Sequence, residues 1–236
     1  MMDAFIFTGG DVLLKNIKIA PEKGDLVIAA DAGYKTAEAM GIPVDVLIGD
    51  MDSLGRVPEN LKNTEIVRLP ADKDVTDTEA AVEYALKHEH EVKFISIIGG
   101  IGSRLDHTMA NLSILESIER LYSAPLGKHR TFFGLKKQAR MSRNIGALLT
   151  NGYNRVRFIR NNSVILPKNP YFKYLSLLCA DEYAKGVCVE GCKYPLNNAT
   201  LSRHRQYFSV SNEILGNCAF VSVRSGGLFI VESMDT

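Results

Sequence analysis

Short apolar runs, each cut off by glycine, proline or aspartate and interleaved with helical spacing, constrain the first half of this chain more than any other feature. The runs cover residues 4–7, 26–30, 44–48, 66–69 and 92–98. They stop at Thr8-Gly9-Gly10, Asp31-Ala32-Gly33, Gly49-Asp50-Met51-Asp52-Ser53, Pro70 and Gly99-Gly100 respectively. A short helix is expected over 35–40, ending at Gly41, a residue suited to a left-handed cap. Thr76-x-x-Glu79 has the form of a capping box and opens a helix that runs to about residue 87. Leu105, Met109, Leu112, Leu115 and Ile118 recur at helical spacing and predict a helix over 106–121. Strands alternating with helices imply a parallel sheet covered on both faces.

From about residue 156 the pattern changes. Runs rich in β-formers at 156–159, 164–166, 174–178, 187–189, 207–210, 219–223 and 228–231 are separated by turn residues, and no useful helical period remains. That pattern predicts a β-sandwich. The expected organisation is therefore an N-terminal parallel-sheet α/β domain over 1–122, a basic junction over 123–155, and a C-terminal all-β sandwich over 156–236. The junction carries Lys136, Lys137, Arg140 and Arg143 and reads as a solvated linker, with phosphate contact as the alternative.

Composition narrows the function. A chain of 236 residues with 46% apolar content can fill one large core or two modest ones. A formal charge of +1 gives no long-range attraction to nucleic acid or to an anionic membrane. No apolar run approaches the roughly 18 residues that span a bilayer. Met1-Met2-Asp3 lacks the basic flank and long apolar region of a signal peptide. Cys179, Cys188, Cys192 and Cys218 form no CxxC pair and read as reduced packing thiols. A soluble cytoplasmic protein is expected.

The polar residues of the first half fall at strand ends. Asp31 follows the second run, Asp50 and Asp52 the third, Asp72, Lys73, Asp74 and Asp77 the fourth, and Arg104, Asp106 and His107 the fifth. In a parallel sheet those ends point the same way, and open α/β sheets bind ligands there. Four segments should thus deliver carboxylates to one cleft, although aspartate is also common in turns and caps. Clustered carboxylates need a compensating charge, and oxygen ligands without imidazole or thiolate suit Mg²⁺. Lys73 and Arg104 are candidates for phosphate oxygens, or for pairing with the neighbouring aspartates. Gly99-Gly100-x-Gly102 precedes a helix N-terminus, where free N–H groups favour an anion. His107 is either a proton carrier or a helix-start residue, and Asp77 either a ligand or a first-turn residue. The residues alone imply Mg²⁺-dependent chemistry on a phosphorylated substrate and leave the acceptor open.

Gly49-Asp50-Met51-Asp52-Ser53, Lys73-Asp74-Val75-Thr76-Asp77 and the segment from Gly99 to His107 resemble, in order and spacing, three signatures of thiamine pyrophosphokinases. Tyr174-Leu175-Ser176-Leu177, the segment from Gly191 to Leu196, and Val210-Ser211-Asn212-Glu213 resemble that family's C-terminal domain. The resemblance implies an α/β domain followed by a β-sandwich, and a homodimer with active sites at the subunit interface. It implies that Asp50, Asp52, Asp74 and Asp77 organise Mg²⁺ and the phosphates of ATP, with Arg104, Asp106 and Asp31 in the same site. Ser211 and Asn212 match the segment that helps bind thiamine. Met51 stands where phenylalanine is usual, Cys192 where leucine is common, and the chain contains no tryptophan to stack on thiamine. The implied reaction moves the pyrophosphoryl group of ATP to the thiamine hydroxyl, releasing AMP, with Asp77 or Asp106 receiving the hydroxyl proton. A pyrophosphokinase for another hydroxymethyl heterocycle, such as a pterin, and a non-catalytic nucleotide or thiamine sensor are the alternatives.

Overall fold

The computed structural model describes residues 2–52, 61, 63–70, 74–87, 92–122, 131–132, 135–136 and 145–235. Lys73, an expected phosphate contact, lies outside the described residues. The chain divides into two compact units, Met1–Gly152 and Tyr153–Thr236.

The first unit is built on strands β1 (Met2–Phe7), β2 (Leu26–Ala30), β3 (Val46–Gly49), β4 (Glu65–Arg68) and β5 (Val92–Ile98). The two-residue strands β6 (Thr131–Phe132) and β7 (Leu135–Lys136) pair antiparallel with each other, and β8 (Gly146–Thr150) returns to the main sheet. The sheet of this unit has the order β8-β5-β1-β2-β3-β4, and every neighbouring pair is parallel. The central strands are continuously apolar because both faces are covered: Ile6, Phe7, Ile28, Leu47, Ile95 and Ile97 are fully buried. Helices α1 (Gly33–Ala39) and α2 (Asp77–Lys87) pack on the β1–β2 region, and α3 (Leu105–Tyr122) packs on β8.

Helix α3 forms where the spacing predicts it, but its stripe is only half used. Leu115 and Ile118 are buried, whereas Leu105 is 71% exposed and Met109 56% exposed. The side of the first turns that carries Thr108 and Asn111 meets the Gly99–Gly102 loop, and the side that carries Leu105 and Met109 stays exposed. A second difference concerns the boundary. Strand β8 lies inside the expected junction, and the units divide between Gly152 and Tyr153. Its run of five residues pairs with β5 and so belongs to the α/β core.

The second unit is a sandwich. One layer is β11 (Tyr174–Cys179), β15 (Gly227–Ser233) and β9 (Asn154–Arg160), paired antiparallel in that order. The other is β10 (Ser163–Pro167), β14 (Cys218–Ser222), β12 (Tyr183–Glu190) and β13 (Leu196–Ser202), also antiparallel. Alternate residues of both layers, such as Leu177, Ile230, Val189 and Val221, share one core. At one end of it, the buried Glu232 carboxylate accepts hydrogen bonds from both Arg155 and Arg157.

The strand expected at 207–210 does not form. Two short 3₁₀ turns, kinked at Arg205, span Arg203–Ser209 instead, opened by the Ser202 hydroxyl, which accepts from the His204 N–H at 3.2 Å. Their attachment to β11 runs through side chains. Gln206 Oε1 accepts the Cys179 N–H at 2.6 Å, Gln206 Nε2 donates to the Cys179 carbonyl at 3.3 Å, and Ser209 Oγ donates to the Leu177 carbonyl at 2.5 Å. Side-chain amide and hydroxyl thus take the backbone groups that a strand would have paired, leaving Tyr207 and Phe208 exposed. All four cysteines are free thiols, and burial pushes those of Cys179 and Cys192 up.

Candidate active site

In the first unit the chain order reverses at β1, with β2–β4 added on one side and β5 and β8 on the other. Such a switch point opens a crevice at the carboxyl ends of the strands. A cavity of about 430 Å³ lies there. Its walls come from the segments after β1 (Thr8, Gly9, Gly10), after β2 (Asp31) and after β5 (Gly99, Gly100), and from the N-terminal regions of α2 and α3.

Close backbone approach explains the glycines. A Cβ on Gly10 would stand 2.0 Å from the Gly99 carbonyl oxygen, so the loops after β1 and β5 fit together only without a side chain there. Gly99 also holds φ at +86°, a left-handed conformation that glycine adopts freely. Helix α2 enters the wall through the expected capping box: Thr76 Oγ1 accepts the Glu79 N–H at 3.1 Å and Glu79 Oε2 accepts the Thr76 N–H at 3.4 Å. Burial, reinforced by Glu83, holds the Glu79 carboxyl above its ordinary range against the opposing Thr76 bond. Two helix N-termini, glycine loops and the Arg104 side chain therefore meet at one cavity, an arrangement suited to a polyphosphate.

The expected site residues separate into groups. Asp31, Asp77, Arg104 and His107 wall the cavity. Asp50, Asp52, Asp74 and Asp106 do not. Asp50 instead accepts the Asp52 N–H at 3.1 Å, making a tight turn anchored by the buried Met51, whose φ is +70°. This turn is nevertheless adjacent, since a Cβ on Gly49 would lie 3.1 Å from the Cβ of Asp31. Arg104 and Asp106 pair through the Arg104 Nη2, at 2.6 Å, with side chains 68% and 66% exposed. The Arg104 hydrogen bond holds the Asp106 carboxyl below its ordinary range, and Asp106 holds the guanidinium above its own. Ser211 and Asn212 belong to the second unit. Asn212 Oδ1 accepts the N–H groups of Tyr194 and Glu213, each at 2.9 Å, and its Nδ2 donates to the Tyr194 carbonyl at 2.8 Å. Ser211 adopts φ of +58° and donates its N–H to Ser176 Oγ at 3.0 Å. A small apolar cavity of about 70 Å³ beside them is lined by Leu175, Val189, Tyr194 and Phe208.

Sequence reasoning missed Thr8, Thr78, Thr108 and Asn111 in the cavity wall. Thr8 carried a signal, since it ends a strand ahead of two glycines. Asn111 carried one as well: a buried polar residue in the middle of a helix needs a partner, and its Nδ2 donates to the Gly100 carbonyl at 2.8 Å.

The carboxylates are compatible with Mg²⁺. Asp31 is only 8% exposed, and its Oδ1 is buried without a hydrogen-bond partner among the described residues. A buried acceptor left so costs on the order of 1–3 kcal/mol, which a bound cation would offset. Among the described residues no three His, Cys, Asp or Glu side chains form a ready-made cage. Mg²⁺ does not require one, because it commonly takes one or two carboxylates with water and substrate phosphates.

Comparison with known proteins agrees with this architecture. Residues 18–123 match the family model described as thiamin pyrophosphokinase, catalytic domain, and residues 162–228 match thiamin pyrophosphokinase, vitamin B1 binding domain. A thiamine pyrophosphokinase of Bacillus subtilis (strain 168) is 26% identical over 216 residues, covering 89% of this chain and 88% of the relative. Thiamin pyrophosphokinase 1 of Caenorhabditis elegans is 36% identical over 74 residues, 30% of each chain. Among solved structures, thiamine pyrophosphokinase from Bacillus subtilis superposes with a TM-score of 0.79 at 23% identity, over 99% of this chain and 100% of the other. Thiamin pyrophosphokinase from Geobacillus thermodenitrificans gives 0.76 at 21% identity, over 100% and 99%. These superpositions establish the fold, and with both domain models matched in order along the sequence, the chain belongs to the thiamin pyrophosphokinase family.

Proposed function

We propose that this protein transfers the pyrophosphoryl group of ATP to the hydroxyl of thiamine, giving thiamine diphosphate and AMP. The observation that carries this reading is the first unit's cavity, where glycine loops, two helix N-termini and Arg104 meet the buried, unpartnered Asp31 Oδ1. The thiamine oxygen attacks the β-phosphorus, the bond from that phosphorus to the α,β-bridging oxygen breaks, and AMP departs with the bridging oxygen. Such a transfer is accelerated mainly by positioning and by stabilising charge on phosphate oxygens. Arg104 supplies part of that charge, and Lys73 is assigned the same role. Asp31 and Asp77, at the cavity wall, would hold Mg²⁺, with Asp50, Asp52 and Asp74 as further candidate ligands. The cation, when bound, neutralises charge on the transferred phosphates. Asp77 is placed for either of its two roles, cation ligand or acceptor of the hydroxyl proton. Asp106 is less suited to the second, since its carboxylate is committed to Arg104. His107 remains available to hold a phosphate or carry a proton at the cavity wall.

Thiamine is assigned to the second unit, whose matched domain model carries the description vitamin B1 binding. Asn212 shapes the turn that presents Ser211 there, since its own amide is used by Tyr194 and Glu213. A homodimer working in the cytoplasm belongs to the same reading, and the exposed Tyr207, Phe208 and Leu215 are surface that an assembly would cover. Incubation with ATP and Mg²⁺, with and without thiamine, tests the reaction. Release of AMP only when thiamine is present is expected. Release of ADP, or of AMP with a pterin alcohol in place of thiamine, would contradict it.

A further inference from the structure

The loop from Gly99 to Arg104 is held by its carbonyl groups, and the donors are two asparagine side chains from different elements. Asn111, buried in α3, donates through Nδ2 to the Gly100 carbonyl at 2.8 Å. Asn151, buried just after β8, donates through Nδ2 to the next carbonyl, that of Ile101, at 3.3 Å. The Gly99 N–H is tied to the Thr150 carbonyl at 2.8 Å, and the Gly102 N–H donates to Thr108 Oγ1 at 3.2 Å. Asn151 is itself fixed, because its carbonyl accepts the Leu13 N–H at 2.9 Å. The loop is closely packed on the side of Asn111: a Cβ on Gly100 would stand 2.3 Å from Leu149 Cδ1 and 3.2 Å from Asn111 Nδ2.

A glycine-rich loop is free to adopt many conformations, and ordering it when a ligand arrives weakens binding. Each peptide unit is planar and trans, so fixing a carbonyl also fixes the N–H of the following residue in the opposite direction. We infer that Asn111 and Asn151 are positioning residues that clamp the Gly99–Gly102 loop in one conformation before ATP binds, so that the Ile101 N–H is already oriented for a phosphate while those of Gly99 and Gly102 stay bound to Thr150 and Thr108. This rests on the assignment of the cavity to ATP. The asparagines hold the loop through its carbonyls, and Asn111 does so from the cavity wall.

The test uses the full chain carrying Asn111→Leu, which keeps the side-chain size but removes the donor, and Asn151→Ala as a second variant should the first fail to fold. Amide hydrogen exchange is measured without ligand, and the KM values for ATP and thiamine are measured separately. Exchange at Gly99 and Gly102, whose N–H groups are bound to Thr150 and Thr108, should rise on the order of tenfold, the scale of one buried hydrogen bond, with the amides of Leu115 and Ile118 unchanged. The KM for ATP should rise by a similar factor while that for thiamine moves less than about twofold. Unchanged loop exchange in a folded variant overturns the clamp. A loosened loop with an unmoved KM for ATP overturns its link to the nucleotide, and that outcome is distinct from failure of the thiamine-dependent AMP assay, which would remove the ATP assignment itself.

Discussion

The two units differ at one buried carboxylate. In the second, Glu232 accepts from two arginines, Asp181 accepts from Arg160 and the Gly227 N–H, and Asn212 is used by the backbone on either side of it. In the first, the Asp31 carboxylate is buried with one oxygen unpartnered, beside a cavity walled by helix N-termini and glycine loops. Buried polar groups normally find partners within the protein. Where they do, they specify structure; where one stays unmet at a cavity wall, a ligand can supply the missing partner. The contrast supports the proposal that phosphate chemistry belongs to the first unit, with the ion pairs of the second holding its structure.

Three substitutions can break or sharpen that contrast. The largest effect is expected from Glu232→Ala, which strands two guanidinium groups beside the sandwich core. Loss of one partner from a buried ion pair costs about 3–5 kcal/mol, read as a lowered urea midpoint with unchanged slope. Loss of less than about 1 kcal/mol would show that water replaces the carboxylate. Asp31→Asn should do the reverse: activity falls about a hundredfold to a thousandfold, the scale of losing one stabilising group at a reacting centre, while the melting temperature holds or rises. Asparagine tolerates the φ of +46° found there, so the backbone is not the cause. Parallel loss of stability and activity would make Asp31 a structural residue. The smallest effect belongs to Asn212→Ala, about 1 kcal/mol of stability, because water reaches this turn. The KM for ATP should not change, and a rise in it would bring the second unit into nucleotide binding.

Much of this was legible in the sequence because periodicity and chemistry coincide in the first half. Runs 26–30 and 92–98 match β2 and β5 end to end, and the capping box at Thr76 and Glu79 forms as read. Asp31, Asp77, Arg104 and His107 converge because parallel strands expose their carboxyl ends together. What could not be read depends on partners distant in sequence. Strand β13 is hidden by Asn197 and Asn198, and pairs with β12 all the same. The apolar residues at 207–210 suggested a strand, but Gln206 and Ser209 had already taken the β11 backbone groups. Leu105 and Met109 fit the helical stripe, yet both stay exposed. The spacing of Asp50 and Asp52 does not reveal that Asp50 Oδ1 accepts the N–H of Asp52 in a turn.

The reaction itself is tested most directly by following the transferred atoms. ATP labelled on both its β- and γ-phosphates is incubated with the protein, Mg²⁺ and thiamine, and the products are separated. Attack on the β-phosphorus predicts both labels in thiamine diphosphate and an equal amount of unlabelled AMP. Labelled ADP with thiamine monophosphate, or free pyrophosphate formed at the same rate without thiamine, would contradict it.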